Sequence, residues 1–348
     1  MLKAAVRQVL EFFDRRLLPL VSRARGFASA YYLLLNPRFG REHRAIAAGR
    51  LQYWRRLRTV QRSCPRLRRN VHRLEKGLVM QPRQPVFATD YIVETVDAFI
   101  AAEAHGALDA GELQWARDVL DRYFASVGDH ADIRRARDQF TLRSPRPAEG
   151  AGDRTPRPQR DLPRARVGYG DFLALCRQRR SVRWFLDRPV PRELVLQAVT
   201  AAAEAPSACN RQPFLFRYLD DAPAAGRIAG ISMGTTGYAQ NIPALVVVLG
   251  DLSCYPEERD RHVVYVDASL AAMQFMLALE TLGLSNCPIN WPDVERLERR
   301  MDAALGVPRH IRPVMLIAVG YADPDGGVPF SAKKPAATLL RLDDDYRP

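Results

Sequence analysis

A chain of 348 residues, 47% of them hydrophobic, is long enough for two domains or one large one, and no apolar run reaches the roughly eighteen residues of a membrane span. Its five cysteines are scattered without a Cys-x-x-Cys pair, which argues against a disulfide framework and against a zinc site, and for a reducing, cytoplasmic setting. The net charge of +13 is uneven: residues 1–170 carry about 32 basic and 18 acidic side chains, leaving the second half near neutral.

Residues 1–24 read as a basic amphipathic helix, with Val6, Val9, Leu10, Phe13, Leu17 and Leu20 on one face. Arg7, Glu11, Asp14, Arg15 and Arg16 interrupt every candidate signal-peptide core. Asn36-Pro37 breaks the helix, and a second runs from about Arg41 to Val60. Two more are predicted at Thr89–Ala104 and Asp109–Val127, with Thr89 and Asp109 as N-caps. Before these two lies Asn70-Val71-His72-Arg73-Leu74-Glu75-Lys76-Gly77-Leu78. There His72 and Glu75 stand three apart on a helix, as an acid–base or ligand pair or as a packed helix end that Gly77 caps. The region 1–143 is therefore expected to be all-helical. Its charge predicts weak contact with an anionic membrane surface or an acidic protein; no reading motif for nucleic acid accompanies it.

Residues 144–166 are rich in Pro, Gly and Arg and read as a flexible linker to a domain over 167–348. That domain mixes elements. Helices are expected at Tyr169–Arg180, Arg192–Glu204, His262–Leu282 and Pro292–Leu305, and strands at Phe214–Leu219, Ala244–Gly250 and Pro313–Tyr321, with a strand-like Leu284–Cys287. Only about thirty residues separate Pro213 from Ile242, and their Gly-rich loop 230–238 leaves a pocket that is open or is closed by the N-terminal half.

Two segments carry the chemistry. Arg179-Arg180-Ser181-Val182-Arg183 packs three guanidiniums and a hydroxyl into five residues, a donor set suited to a phosphate dianion. Pro206-Ser207-Ala208-Cys209-Asn210-Arg211-Gln212-Pro213 is a small-residue turn that a flat ligand can approach closely. The plain alternatives are a solvated basic helix end and a helix-ending turn.

Together with the helix from Asp267 to Gly283-Leu284, the Cys287-Pro288-Ile289-Asn290 turn and the late Lys333-Lys334, these segments resemble the nitroreductase family over about residues 166–345. The resemblance implies an α+β fold, with a small central mixed sheet clad by helices, in an obligate homodimer with shared flavin sites. It implies FMN as cofactor, NADH or NADPH as electron donor, and a small planar or conjugated substrate. Arg179, Ser181 and Arg183, with Arg180 less directly, would then hold the phosphate and ribityl chain. Pro206, Ser207, Ala208 and Asn210 would lie against the ring from the partner subunit. Pro288, Ile289 and Asn290 would pass beside flavin N5, and one of Lys333 and Lys334, spaced more tightly than in the family, would reach the phosphate. Asp267 is expected as a structural cap, and no side chain is assigned as catalytic, because the cofactor carries the hard chemistry. Asn290-Trp291 departs from the acidic residue or glycines of well-known members. The 72–78 segment resembles one found upstream of the domain in a subset of bacterial members, some near polysaccharide-biosynthesis genes. Two rival readings stay open on the residues alone: a flavin-binding scaffold that has lost turnover, and a basic membrane-surface or nucleic-acid-associated protein.

Overall fold

The computed structural model describes residues 16–57, 59, 61–144, 154–340 and 342. The elements of the N-terminal half are all helical among these residues: α1 (Arg25–Leu34), α2 (Gly40–Arg56), α3 (Pro65–Leu78), α4 (Ile92–His105), α5 (Ala110–Ser126) and α6 (Ala131–Arg143), with one short 3-10 turn. Residues 16–21 are also helical; the remainder of the helix expected over 1–24 lies outside the described residues, apart from the turn after residue 21.

Helices α3 to α6 share one core. Leu67, Val71 and Leu74 recur at four and three residues, put one face of α3 inward, and meet Val96, Leu120 and Ile133 with no exposed surface. Asp109 caps α5 as expected, its carboxylate accepting from the Glu112 N–H at 3.0 Å. Thr89 does not cap α4: the chain turns through it, and the helix begins at Ile92. Gly77 does not end its helix either. It sits inside α3, where an added Cβ would lie 2.2 Å from the Phe87 ring, so its smallness serves close packing.

The second half contains α7 (Tyr169–Gln178), α8 (Arg192–Ala203), β1 (Phe214–Leu219), α9 (Ala222–Ala229), β2 (Ala244–Asp251), α10 (Val263–Thr281), β3 (Ser285–Asn290), α11 (Glu295–Leu305), β4 (Ile311–Gly320) and α12 (Ala336–Leu339). The sheet order is β1-β2-β4-β3, antiparallel throughout. The mixed pairing expected of it reduces to one parallel bridge, Ser181 to Asn286, beside β3. All eight residues of β2 are buried because helices cover both faces. Val246 and Val248 face the layer of α8 and α10; Leu245, Val247 and Leu249 face α9 and α11. Pro313 sits in the central strand β4, where a register shift opposite Val248/Leu249 relieves the ladder of its missing N–H.

The two halves pack on each other. Helix α2 crosses the turn after β2 so closely that a Cβ on Gly49 would meet Leu252 Cβ at 2.7 Å, and Ala45, Leu252, Tyr255 and Val264 form a shared apolar cluster. Arginines flank this contact. Arg56 pairs with Asp251 at 2.7 Å, Arg50 donates to the Pro256 carbonyl at 2.8 Å and pairs with Glu258, and Arg41 reaches Glu298 at 3.2 Å and also pairs with Asp293. Arg312 joins Glu298 from β4. Burial pushes the Glu298 carboxyl up to about 7, against the pull of Arg41 and of the Trp291 indole, which donates to it at 2.6 Å. Several of the basic residues expected to meet an external anionic partner therefore meet carboxylates of the same chain. The linker is also partly fastened: Arg154 donates from its backbone to Asp118 at 3.0 Å and from its side chain to the Gly111 carbonyl at 2.6 Å, both on α5.

Candidate functional site

The basic segment after α7 is threaded between the ends of β3 and β4. Val182 N–H donates to the Asn286 carbonyl at 3.0 Å, Leu186 N–H to Tyr321 at 2.9 Å, and Phe185 N–H to the Asn241 side chain at 2.7 Å. These bonds turn Arg179, Ser181 and Arg183 toward the start of β3. There burial pushes the Cys287 thiol up, while Arg183, the hydroxyls of Tyr238 and Ser181, and Arg179 act in the opposite direction. The Tyr238 hydroxyl is pushed up to about 12, first by burial and then by the neighbouring Cys287. Arg183 lies 5.7 Å from the Tyr238 ring centre. Arg179 Nη1 is shut off from solvent and has no hydrogen-bond acceptor among the described residues. A half-buried guanidinium with an orphaned N–H, beside a second guanidinium and a hydroxyl, suits a phosphate oxygen.

Arg180 behaves differently. It donates to the carbonyls of Pro329 and Phe330, so it tethers the late extended segment and does not join Arg179 and Arg183. Lys333 and Lys334 follow on that segment and are exposed.

Pro288, Ile289 and Asn290 were expected in a turn after a strand ending at Cys287; the strand instead continues through them to Asn290. Pro288 is tolerated because β3 is the edge of the sheet. The Gly-rich loop passes here, with Gly234 near the Ile289 side chain. Its Thr235 donates to the Ala229 carbonyl at 2.8 Å.

The turn after α8 is held from several sides. Cys209, Asn210 and Gln212 all have positive φ, at 53°, 50° and 47°, a conformation that asparagine tolerates but that Cys209 and Gln212 adopt only when their surroundings impose it. The Ala208 N–H donates to Asp267 at 3.0 Å, and the Tyr255 hydroxyl donates to the same carboxylate at 3.0 Å. Asp267 lies inside α10, so it does not cap its own helix. It anchors the turn, and burial raises its pKa while these two donors lower it. From the N-terminal half, Arg68 donates to the Asn210 carbonyl at 2.7 Å and to the Gln212 side chain at 3.0 Å. Arg68 carried no local signal, because its contact with Asn210 joins residues 142 positions apart.

The basic cluster and the turn sit at opposite ends of α10. Asp267 holds the turn, whereas Glu280, thirteen residues on, accepts from Asn286 at 3.0 Å beside the basic segment. At 1.5 Å per residue that separation is about 20 Å, so one chain does not bring the two groups together.

Comparison with known proteins matches residues 176–234 and 232–321 to the model of the Nitroreductase family. A protein of Archaeoglobus fulgidus, provisionally named NADH dehydrogenase/NAD(P)H nitroreductase, is 31% identical over 157 residues, covering 43% of this chain and 85% of that one. The Thermus thermophilus NADH dehydrogenase is 28% identical over 187 residues, 45% of this chain and 89% of its own. Human iodotyrosine deiodinase 1 is 24% identical over 201 residues, at 49% and 68% coverage. Among solved structures, an FMN-dependent nitroreductase of Clostridium difficile superposes with a TM-score of 0.42 at 22% identity, covering 49% of this chain and 98% of that chain. With a relative above 30% identity matched over most of its length, this chain belongs to the nitroreductase family.

Proposed function

We propose that the protein is an FMN-dependent oxidoreductase of the cytoplasm that takes electrons from NADH or NADPH and delivers them to a small planar substrate. The observation that carries this reading is the orphaned Arg179 Nη1 beside Ser181 and Arg183. The names of the relatives support the nicotinamide donor, and the family supports a flavin. FMN, when bound, supplies the hydride and electron chemistry. The chain's own residues bind and orient: Arg179, Arg183 and Ser181 hold the phosphate, Arg180 keeps the Lys333-Lys334 segment beside them, and Ile289 and Asn290 line the ring. The purified protein should be yellow and should bleach anaerobically with NADH or NADPH. A protein that neither carries nor takes up FMN would overturn the assignment, and one that binds FMN without bleaching would be the scaffold.

The proposal includes a homodimer in which the turn 206–210 of one subunit completes the site of the other. Three observations support it. The two half-sites are too far apart in one chain. The outer face of α10 carries Val266, Leu270 and Met273 at 57%, 44% and 40% exposure; contrary to the expectation from the sequence this helix is long and apolar enough to cross a membrane by length and composition, and its inner face is closed by the sheet. Helix α7 has no buried residue although Tyr169 and Phe172 project from it. Sedimentation should give a dimer; a monomer that binds FMN tightly would remove the shared site.

A second, weaker activity follows from α1. Phe27, Leu33 and Leu34 on it and Leu35 just after it are exposed, as are Arg25 at its start and Arg23 and Arg38 in the flanking chain, a composition that suits an anionic membrane surface. Co-sedimentation with anionic vesicles at low salt, lost as salt rises, tests it; equal indifference to anionic and neutral vesicles would exclude it.

A further inference from the structure

The motif at 70–78 and the turn at 206–212 are joined by a continuous side-chain network. Arg68, one turn before His72 on α3, is the junction. Its side chain is 12% exposed and makes three bonds at once: Nε to the Asn210 carbonyl at 2.7 Å, one terminal nitrogen to Gln212 Oε1 at 3.0 Å, the other to Glu112 at 2.9 Å. Glu112 is itself buried and held by Ser63 at 2.7 Å and by the Cys64 N–H at 2.9 Å. The guanidinium also lies 5.3 Å from the Trp115 ring. The Trp115 indole in turn donates to Glu75 at 3.0 Å, and the other Glu75 oxygen lies 3.4 Å from His72 Nδ1.

We propose that Arg68 is a positioning residue of the cofactor site, through which the N-terminal helices and their His72–Glu75–Trp115 relay fix the backbone of the 206–212 turn. This rests on the reading that the turn faces the flavin. The physical case lies in the turn's conformation. Three residues with side chains stand at positive φ within four positions; asparagine tolerates this region, but Cys209 and Gln212 are strained there and persist only where bonds from outside over-determine them. Asp267 fixes one end of the turn and Arg68 the other. The planar fork matters more than the charge, because three acceptors in three directions need three fixed N–H vectors. A lysine at 68 keeps the charge and loses that geometry. His72 and Glu75 thereby gain a role that neither catalysis nor metal binding requires: they orient the indole that backs the guanidinium.

The test uses full-length protein and Arg68→Lys, with Arg69→Lys as the control. Arg69 is its neighbour on α3 but bonds Asn70 and Glu94, away from the turn. Hydrogen exchange of the apoprotein reports the turn without any cofactor. The amides of Ala208, Asn210 and Gln212 should exchange faster in Arg68→Lys and unchanged in Arg69→Lys, with the core strands equally protected in both. FMN titration should show binding weakened about tenfold in Arg68→Lys only, equal to about 1.4 kcal/mol. If Arg68→Lys does not fold, Trp115→Leu takes its place, since it removes the ring behind the guanidinium, and the Trp115 indole donates to Glu75 and not to the turn. Unchanged exchange over 206–213 in the folded variant overturns the proposal. Faster exchange with FMN bound as tightly as in the wild type leaves the strut standing and sinks the flavin-facing role of the turn. Failure of the wild type to bind FMN sinks the functional assignment instead.

Discussion

The two ends of α10 are held by different parts of the chain. At its C-terminal end, the basic segment 179–186 is fixed by backbone bonds to β3 and β4 and by Asn241, all within the stretch that the family model matches. At its N-terminal end, the turn 206–212 is fixed by Asp267 from that stretch and by Arg68 from a helix that the family model leaves unmatched. A local backbone scaffold needs no help from elsewhere. A strained turn held by side chains borrows its rigidity from whatever packs behind it, here the N-terminal helices.

The largest test of this contrast is to remove the N-terminal half. The sequence suggests that residues 166–348 fold alone; the packing of α2 predicts otherwise. Without it Glu298 keeps Arg312 but loses Arg41, Asp251 loses Arg56, and the apolar cluster of Ala45 with Leu252, Tyr255 and Val264 is opened to water. The fragment is expected to aggregate or to melt far below the full chain by circular dichroism, and a fragment as stable as the whole would make the N-terminal half dispensable.

Next in size is the double substitution Arg179→Ala with Arg183→Ala. Each charge-assisted contact contributes about 1.5–3 kcal/mol, so FMN binding should fall by several orders of magnitude while the melting temperature moves little. Full flavin occupancy of the double variant would put the phosphate elsewhere. Gly49→Val should cost about 1–3 kcal/mol, because Leu252 backbone and side chain already fill the space. Gly26→Val, which meets nothing within 4 Å, is the matched comparison in thermal melts.

The smallest effect is on pH. Glu298 is raised from its usual 4.5 to about 7, so the folded state favours the protonated form. Stability from this group is fully present below the unfolded value and is lost as pH rises through about 7. The wild type should therefore lose melting temperature between pH 5 and 8 relative to Glu298→Gln. Arg41→Ala should extend the loss to higher pH, since Arg41 opposes the rise. Parallel curves for all three would mean that Glu298 does not titrate in this range.

Much of the second half was legible because its signals are local. β1 falls on Phe214–Leu219 as expected, and the near-continuous apolar run from Ala244 can only be a strand covered on both faces. The helix α9 was missed although Asp221, with Pro223 in the first turn, is a clear start signal; its carboxylate accepts from Ala224 at 2.8 Å. Helix α6 was missed as well, with His130 rather than a hydroxyl or carboxylate at its cap. The basic cluster was readable because its residues are consecutive. The supports of the turn were not: Arg68, Glu112 and Trp115 look like ordinary helix residues until the tertiary structure brings them to Asn210 and Gln212.

The five free cysteines give the protein a built-in chemical footprint. Cys64, Cys254 and Cys287 are buried, whereas Cys176 on α7 and Cys209 at the crest of the turn are partly open. One partly open thiol thus lies in each of the two segments of the proposed site, so alkylation rates at 176 and 209, read by mass spectrometry, would report the proposed subunit pairing and ring occupancy separately, with no engineered label.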